Sequence, residues 1–145
     1  MAKPVFVLVP GTSGPAPIYR QEIAKFNELG YEAETVQLPS VGRRDPLPAA
    51  TMDEDAVAVR QVALKYLGQG KDVIIITHSY GGIPGTEAVR GIAKKTREAH
   101  GLTTGVVRII YVTSVVVPVG GKLTDAFNGT MPEFLSVEVS ALATH

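Results

Sequence analysis

The chain has 145 residues, no cysteine, and fourteen basic side chains balanced by fourteen acidic ones. The absence of cysteine excludes a disulfide framework, a thiolate metal site and a cysteine nucleophile. Balanced charge gives no broad field to attract nucleic acid or an anionic membrane surface, so the expected partner is a small neutral or weakly charged molecule. No apolar stretch approaches the roughly 18 residues that span a bilayer, and no signal peptide is visible. These features predict a single-domain, cytoplasmic protein.

The first part of the sequence predicts a strand, a helix and a second strand. Residues 5–9 form a continuous, largely β-branched run, which is typical of a parallel strand buried on both faces. After a loop, apolar residues recur at near-helical spacing as far as Gly30, which favours the end of a helix. Residues 31–38 then predict a second strand. The apolar positions of the helix are Ile18, Ile23, Phe26 and Leu29.

The next part continues the alternation of helices and strands. Thr51 has an acidic residue three places later, Glu54, which is a capping-box pattern for a helix that ends near Gly68. A strand is predicted over residues 73–77, a helix from the following turn to about residue 100, and a fourth strand over residues 106–117. Alternating strands and helices predict an α/β fold, a parallel sheet with helices on both faces.

The hexapeptide at residues 77–82, Thr-His-Ser-Tyr-Gly-Gly, follows the third strand directly. A serine in such a strand-to-helix elbow has a strained backbone that lifts its hydroxyl toward a substrate. Gly81 allows the new helix to pass close to the strand. The usual pattern is Gly-x-Ser-x-Gly, and here Thr77 replaces its first glycine. The alternative reading of Ser79 is a solvent-facing residue in a tight glycine turn.

Three segments together resemble the α/β-hydrolase fold, and within it the small esterases, lactonases and hydroxynitrile lyases. They are residues 6–12, 38–42 and 72–82. The resemblance runs from about residue 5 to about residue 120. It implies that residues 1–119 form the N-terminal part of a hydrolase core, and that residues 120–145 begin a cap or lid or form a flexible tail. It also implies a spatial strand order in which the strand at residue 31 comes first, followed by those at residues 5, 73 and 106.

The same resemblance assigns roles to three residues. Ser79 is expected to be the nucleophile that attacks an ester or lactone carbonyl, and the backbone amide of Tyr80 one oxyanion donor. The other donor is expected to be the amide of Thr12, on the loop where Gly11 permits close approach. Pro10 stands where the family usually has a histidine.

The sequence contains no good candidate for the remaining members of a triad. Of its histidines, His78 precedes the serine, His100 falls at the far end of the following helix, and His145 is the last residue. Asp125 follows the fourth strand but is more simply a solvated loop residue. The acid and the histidine are therefore expected from outside this chain, in a second chain or a missing segment. The long apolar run at residues 106–117 supports this expectation, because it would otherwise be an exposed edge.

The leading functional hypothesis is a serine esterase or lactonase that is inactive as this chain alone. A lyase on the same framework and a non-catalytic, ligand-binding relative remain as alternatives. A phosphate-binding loop at residues 11–14 is disfavoured, because Pro15 and Pro17 remove amide donors that a phosphate needs. The histidines and acids lack metal-ligand spacing, so no metal and no cofactor are expected.

Overall fold

The structure is a computed structural model that describes residues 3–12, 14, 16–42 and 45–130. Its centre is a four-stranded sheet in which every strand pair is parallel and the spatial order is β2-β1-β3-β4. The predicted parallel sheet and its strand order are therefore confirmed. The strands are β1 (Val5–Val9), β2 (Ala33–Thr35), β3 (Val73–His78) and β4 (Val106–Val112).

Helices pack on both faces of this sheet. Because side chains alternate along a strand, Phe6 points away from the face that carries Val5 and Val7. Phe6 stacks on Phe26 of the first helix, with ring centroids 4.4 Å apart, whereas the second and third helices pack on the opposite face. The α-helices are α1 (Arg20–Glu28), α2 (Met52–Gly68), α3 (Gly82–Ala88) and α4 (Lys94–Glu98). Short 3-10 helices occupy Ala16–Tyr19, Ser79–Gly81 and Leu123–Phe127.

The hydrophobic core lies between β1, β3 and α2. The side chains of β1 and β3 that face α2 are buried almost completely, as the continuous apolar runs of these strands predict. Helix α2 begins at the predicted capping box: the Thr51 hydroxyl accepts a hydrogen bond from the amide of Glu54, and the Glu54 carboxylate accepts one from the amide of Thr51. The main core residues are Val5, Val7, Val9, Val59, Ala63, Leu67, Val73 and Ile75.

Three predicted elements are shorter than the sequence indicated. The helix predicted to reach residue 100 is two short helices, because the chain turns between α3 and α4 and Gly91 has a φ of +73°. Of the residues 31–38 predicted as a strand, only Ala33–Thr35 form one, although Glu32 and Val36 also form backbone hydrogen bonds with β1. The strand predicted over residues 106–117 ends at Val112, because Thr113 takes a φ of +46° and turns the chain back toward β3.

Strand β4 differs from the other strands in exposure. Val107, Ile110, Tyr111 and Val112 are 44%, 36%, 41% and 47% exposed. Within the described residues, no strand pairs with its outer edge. The predicted boundary between a core at residues 1–119 and a cap or tail at 120–145 stays a prediction, since residues 131–145 lie outside the described part. The helices of that part lack the length and the apolar character that a membrane span requires.

Candidate active site

Ser79 lies at the carboxyl end of β3, where the strand turns directly into a helical segment. Its φ is +52°, a left-handed conformation that a residue with a side chain rarely adopts. Strain of this kind is concentrated at functional sites, because the surrounding structure must hold it in place. The strand, the turn and helix α3 are therefore arranged as the hexapeptide predicts.

The glycines after Ser79 are required by close backbone contacts. A β-carbon on Gly81 would lie 2.5 Å from the carbonyl oxygens of both Val9 and Pro10. A β-carbon on Gly82 would lie 2.1 Å from the carbonyl oxygen of Val115. Both distances are too short for any side chain. The turn can therefore pack between the ends of β1 and β4 only if these two residues are glycine.

The segment after β4 holds the backbone of Ser79 from the other side. The amide of Ser79 donates to the carbonyl of Thr113 at 3.2 Å, and the carbonyl of Ser79 accepts from the amide of Val115 at 2.8 Å. The hydroxyl groups of Thr77 and Ser114 lie 2.7 Å apart. Sequence reasoning missed this support, because it assigned residues 113–115 to the fourth strand.

The loop after β1 lies against the side chain of Ser79. A β-carbon on Gly11 would be 2.9 Å from Cβ of Ser79 and 3.3 Å from its Oγ. Thr12, the next residue, is exposed. Of the three residues to which the resemblance assigned roles, Ser79 and Tyr80 are adjacent in the turn, and Thr12 follows the glycine that lies against Ser79. Their roles stay predictions.

A cleft of about 70 Å³ opens beside Ser79. We call it the serine cleft, and its described lining contains no carboxylate, lysine or arginine. An adjoining apolar groove of about 410 Å³ runs between α1 and the face of the sheet that α1 covers. The serine cleft is lined by Pro10, Gly11, Gly14, Ile18, Tyr19, His78 and Ser79.

Tyr19 and His78 form one wall shared by the serine cleft and the apolar groove. The Tyr19 hydroxyl lies 2.8 Å from Nδ1 of His78. Burial, with a smaller contribution from the carboxylate of Glu22, raises the pKa of Tyr19 above its ordinary value of 10.0. Tyr19 is therefore a neutral phenol at physiological pH and can donate to this ring nitrogen. Sequence reasoning did not pair Tyr19 with His78.

The described residues contain no base or acid in contact with Ser79. The ring of His78 contacts Tyr19, and Nδ1 of His100 lies 2.7 Å from the carbonyl oxygen of Thr96. The carboxylate of Asp125 accepts a hydrogen bond of 2.7 Å from the amide of Lys122, so it caps a short helix. His145 lies outside the described residues. In the described part of the chain, no group of three or more potential metal ligands comes together.

One polar residue near the site was missed by the sequence reasoning. Asp55 of α2 is completely buried, and its Oδ2 accepts a hydrogen bond of 2.8 Å from the hydroxyl of Tyr80. A signal for it exists in the sequence. Asp55 lies four residues before Val59 and eight before Ala63, so it falls on the apolar stripe of its helix. An acidic residue on a buried stripe needs specific partners.

A strand-turn-helix serine beside a glycine loop, on a parallel sheet with helices on both faces, defines a hydrolase-type α/β protein. The family model described as "Alpha/beta hydrolase family" matches residues 6–143. The chain belongs to this family.

Relatives of known class agree with this assignment. The chain is 38% identical over 133 residues to "Probable hydrolase R7" of Phoma sp., which covers 92% of this chain and 51% of that protein. It is 36% identical over 133 residues to "Alpha/beta hydrolase nvfD" of Aspergillus novofumigatus, at 92% and 52% coverage. The chain thus spans about half the length of the curated relatives it matches.

Solved structures share the fold at lower sequence identity. Polyneuridine aldehyde esterase superposes with a TM-score of 0.67 at 19% identity, over 88% of this chain and 46% of the esterase. Tomato methylketone synthase I, in complex with 2-tridecanone, superposes with a TM-score of 0.66 at 15% identity, over 88% of this chain and 46% of that protein. At these identities the similarity concerns the fold alone. The chain again covers about half of each of these proteins.

Proposed function

We propose that this chain carries the nucleophile of a serine hydrolase that acts on a small ester or lactone. Ser79 attacks the substrate carbonyl carbon, its proton passes to a base, and the alcohol leaves to give an acyl-enzyme that water then hydrolyses. The observation that carries the proposal is the strained position of Ser79, with a φ of +52° at the end of a central strand. A serine that only completed a turn would gain nothing from this strain.

The backbone amides of Thr12 and Tyr80 are the proposed donors to the oxyanion. Thr12 follows Gly11, where a β-carbon would lie 2.9 Å from Cβ of Ser79. Tyr80 is the second residue of the short helix that begins at Ser79, and the first amides of a helix have no carbonyl partner within it. Removal of one such donor from a hydrolase lowers its rate on the order of 100- to 1000-fold.

The serine cleft supports a small, uncharged acyl group. Its described walls are glycine, proline, isoleucine, tyrosine and histidine, without a charged carboxylate, lysine or arginine. An ester or lactone carbonyl could bind there without meeting a formal charge, whereas a carboxylate or phosphate substrate would lack a cationic partner.

The acid and the histidine are proposed to come from the remainder of the hydrolase, as a second chain or as a segment continuous with this one. Two observations support this. The chain spans about half of its relatives, and the apolar side chains of β4, among them Val112 at 47% exposure, are uncovered by the described residues. The remainder would cover β4 and bring a base to Ser79, because an unassisted hydroxyl is almost never ionised near neutral pH.

Covalent labelling tests the nucleophile directly. A fluorophosphonate probe should react with the complete hydrolase at Ser79, as located by peptide mass spectrometry, and Ser79→Ala should abolish both labelling and hydrolysis of p-nitrophenyl acetate. Ser114→Ala is the matched control, since it removes a hydroxyl that pairs with Thr77 and leaves the hydroxyl of Ser79 in place. Labelling and turnover that persist in Ser79→Ala would refute the proposal.

Two further measurements separate the alternatives. Product analysis distinguishes hydrolysis, which releases an acid and an alcohol, from a lyase that cleaves a carbon-carbon bond without an acyl intermediate. Ligand binding that survives Ser79→Ala in a protein with no turnover would instead indicate a non-catalytic relative. The intact mass of the active protein from its native source tests whether the remainder of the hydrolase is present. Full esterase activity in a protein that consists of this chain alone would contradict a base supplied from outside it.

A further inference from the structure

The side chain of Asp55 is buried in the interior of the protein. It is 0% exposed. Its Oδ1 accepts from the amide of Ser40 at 2.9 Å, and its Oδ2 accepts from the hydroxyl of Ser40 at 2.5 Å and from that of Tyr80 at 2.8 Å. Among the described residues, no lysine or arginine forms an ion pair with it. Within the described part of the chain, the hydrogen bonds to this buried side chain thus come from neutral groups.

These three hydrogen bonds join three separate elements at the carboxyl edge of the sheet. Ser40 belongs to the loop after β2, Asp55 to α2, and Tyr80 to the turn that follows Ser79. A buried polar cluster of this kind is weak evidence for stability, because apolar residues of similar volume often stabilise as much or more. What such a cluster can add is a defined geometry, since each hydrogen bond has a narrow range of distance and direction.

The geometry points to Asp55 as a positioning residue for the oxyanion site: by holding the Tyr80 hydroxyl, it fixes the backbone of Tyr80 and thus the direction of its amide. The peptide bond to Ser79 restrains one end of Tyr80, and the hydrogen bond from its hydroxyl to Asp55 restrains the other end. This inference rests on the proposed function, because the direction of this amide matters only if an oxyanion forms beside Ser79.

The distance over which this control acts is short. No residue separates Tyr80 from the reacting serine, and an error of about 1 Å in the placement of a catalytic group can lower a rate on the order of 100-fold. Ser40 contributes two of the three donors to Asp55, which holds the carboxylate in place for the third. The loop after β2 is thereby coupled to the site through Asp55.

The test uses the complete hydrolase, p-nitrophenyl acetate as substrate, and three measured quantities: kcat, KM and the melting temperature. Tyr80→Phe removes one oxygen, and Asp55→Asn keeps the shape of the carboxylate. Each change should lower kcat about 10- to 100-fold with little change in KM, since the lost interaction acts only in the transition state. The double variant should be no slower than the worse single variant, because both changes break one interaction.

Two control variants separate positioning from folding. Val59→Ala lies on the same helix at 0% exposure and should lower the melting temperature while leaving kcat unchanged. Ser40→Ala keeps the hydrogen bond between Asp55 and Tyr80 and should reduce kcat less than Asp55→Asn does. If Asp55→Asn does not fold, Tyr80→Phe alone decides the question.

The outcomes are distinguishable from failure of the proposed function. Unchanged kcat in Tyr80→Phe and Asp55→Asn, with a lower melting temperature, would overturn the positioning role while fluorophosphonate labelling of Ser79 remained intact. Absence of labelling at Ser79 in the unsubstituted enzyme would instead refute the nucleophile, and the positioning role with it.

Discussion

Strands β3 and β4 are neighbours in one sheet, with similar apolar sequences and opposite environments. Ile75 of β3 is 0% exposed, whereas Ile110 of β4 is 36% exposed and Val112 is 47% exposed. The difference comes from what surrounds each strand. Strand β3 lies between β1 and β4, with α2 and α3 over it, but β4 has a paired strand on one side only within the described residues. An apolar strand sequence therefore predicts that the strand is buried, but it does not identify the element that buries it.

The packed region should be most sensitive to a change that adds atoms. Gly81→Ala would place a β-carbon 2.5 Å from two backbone carbonyl oxygens, which cannot move away without breaking the contact between β1 and the turn. We expect a loss of stability on the order of 4 kcal/mol, or no soluble protein. Chemical denaturation monitored by circular dichroism measures this loss.

Gly68→Ala is the matched control for that variant. Gly68 is the last residue of α2, and a β-carbon there would meet no atom within 4 Å. Alanine is the better helix former, so stability should be unchanged or rise by up to about 1 kcal/mol. Equal effects at the two glycines would contradict the close contact at Gly81.

The same truncation in β3 and β4 tests the difference between the strands. Ile75→Ala should lower the free energy of unfolding by about 3 kcal/mol, because it leaves a cavity in a closed core. Ile110→Ala in this chain should lower it by less than about 1 kcal/mol, because a partly exposed side chain has less packing to lose. Urea unfolding of the two variants in parallel gives both values.

The complete hydrolase sharpens this comparison. If the remainder of the protein covers β4, Ile110→Ala should become more destabilising there than in the isolated chain, and should approach the effect of Ile75→Ala. An effect at Ile110 that is the same in both contexts would indicate that the remainder does not pack on this strand.

The last expected effect is confined to alkaline pH and concerns the stability of the packed region. Burial first, and then the hydrogen bond to Glu34 and its charge, raise the pKa of Tyr66 to about 12 from an ordinary value of 10.0. The folded state thus holds this proton more tightly than the unfolded state. The resulting stabilisation is fully present below pH 10, and is lost as the pH rises from about 10 through about 12.

Tyr66→Phe should reduce the loss of stability in that pH window. The variant also loses the hydrogen bond to Glu34, so the quantity to compare is the slope of stability against pH and not its value at neutral pH. Urea unfolding at intervals between pH 9 and pH 12 gives this slope. A slope that equals that of the unsubstituted protein would contradict the contribution of Tyr66.

Much of the fold could be predicted because it depends on short-range patterns. The continuous apolar run of Val5–Val9, the capping box at Thr51 and the glycines at the turn each describe a local preference, and the structure confirms them. The break between α3 and α4 and the early end of β4 could not be predicted. Both coincide with a residue of positive φ, Gly91 and Thr113. At Thr113 the carbonyl accepts a hydrogen bond from the amide of Ser79, a partner that no local pattern indicates.

The sequence by itself determined the parallel α/β alternation and the serine in its glycine turn, because hydrophobic periodicity and turn preferences depend on residues that are near each other in the chain. Only the tertiary structure decided which groups meet at that turn. The carbonyl of Thr113, the backbone of Gly11 and, through the Tyr80 side chain, the buried carboxylate of Asp55 come to it from three different parts of the chain. Such contacts depend on the order of the strands in the sheet and on where helix α2 packs, and no local sequence pattern specifies either.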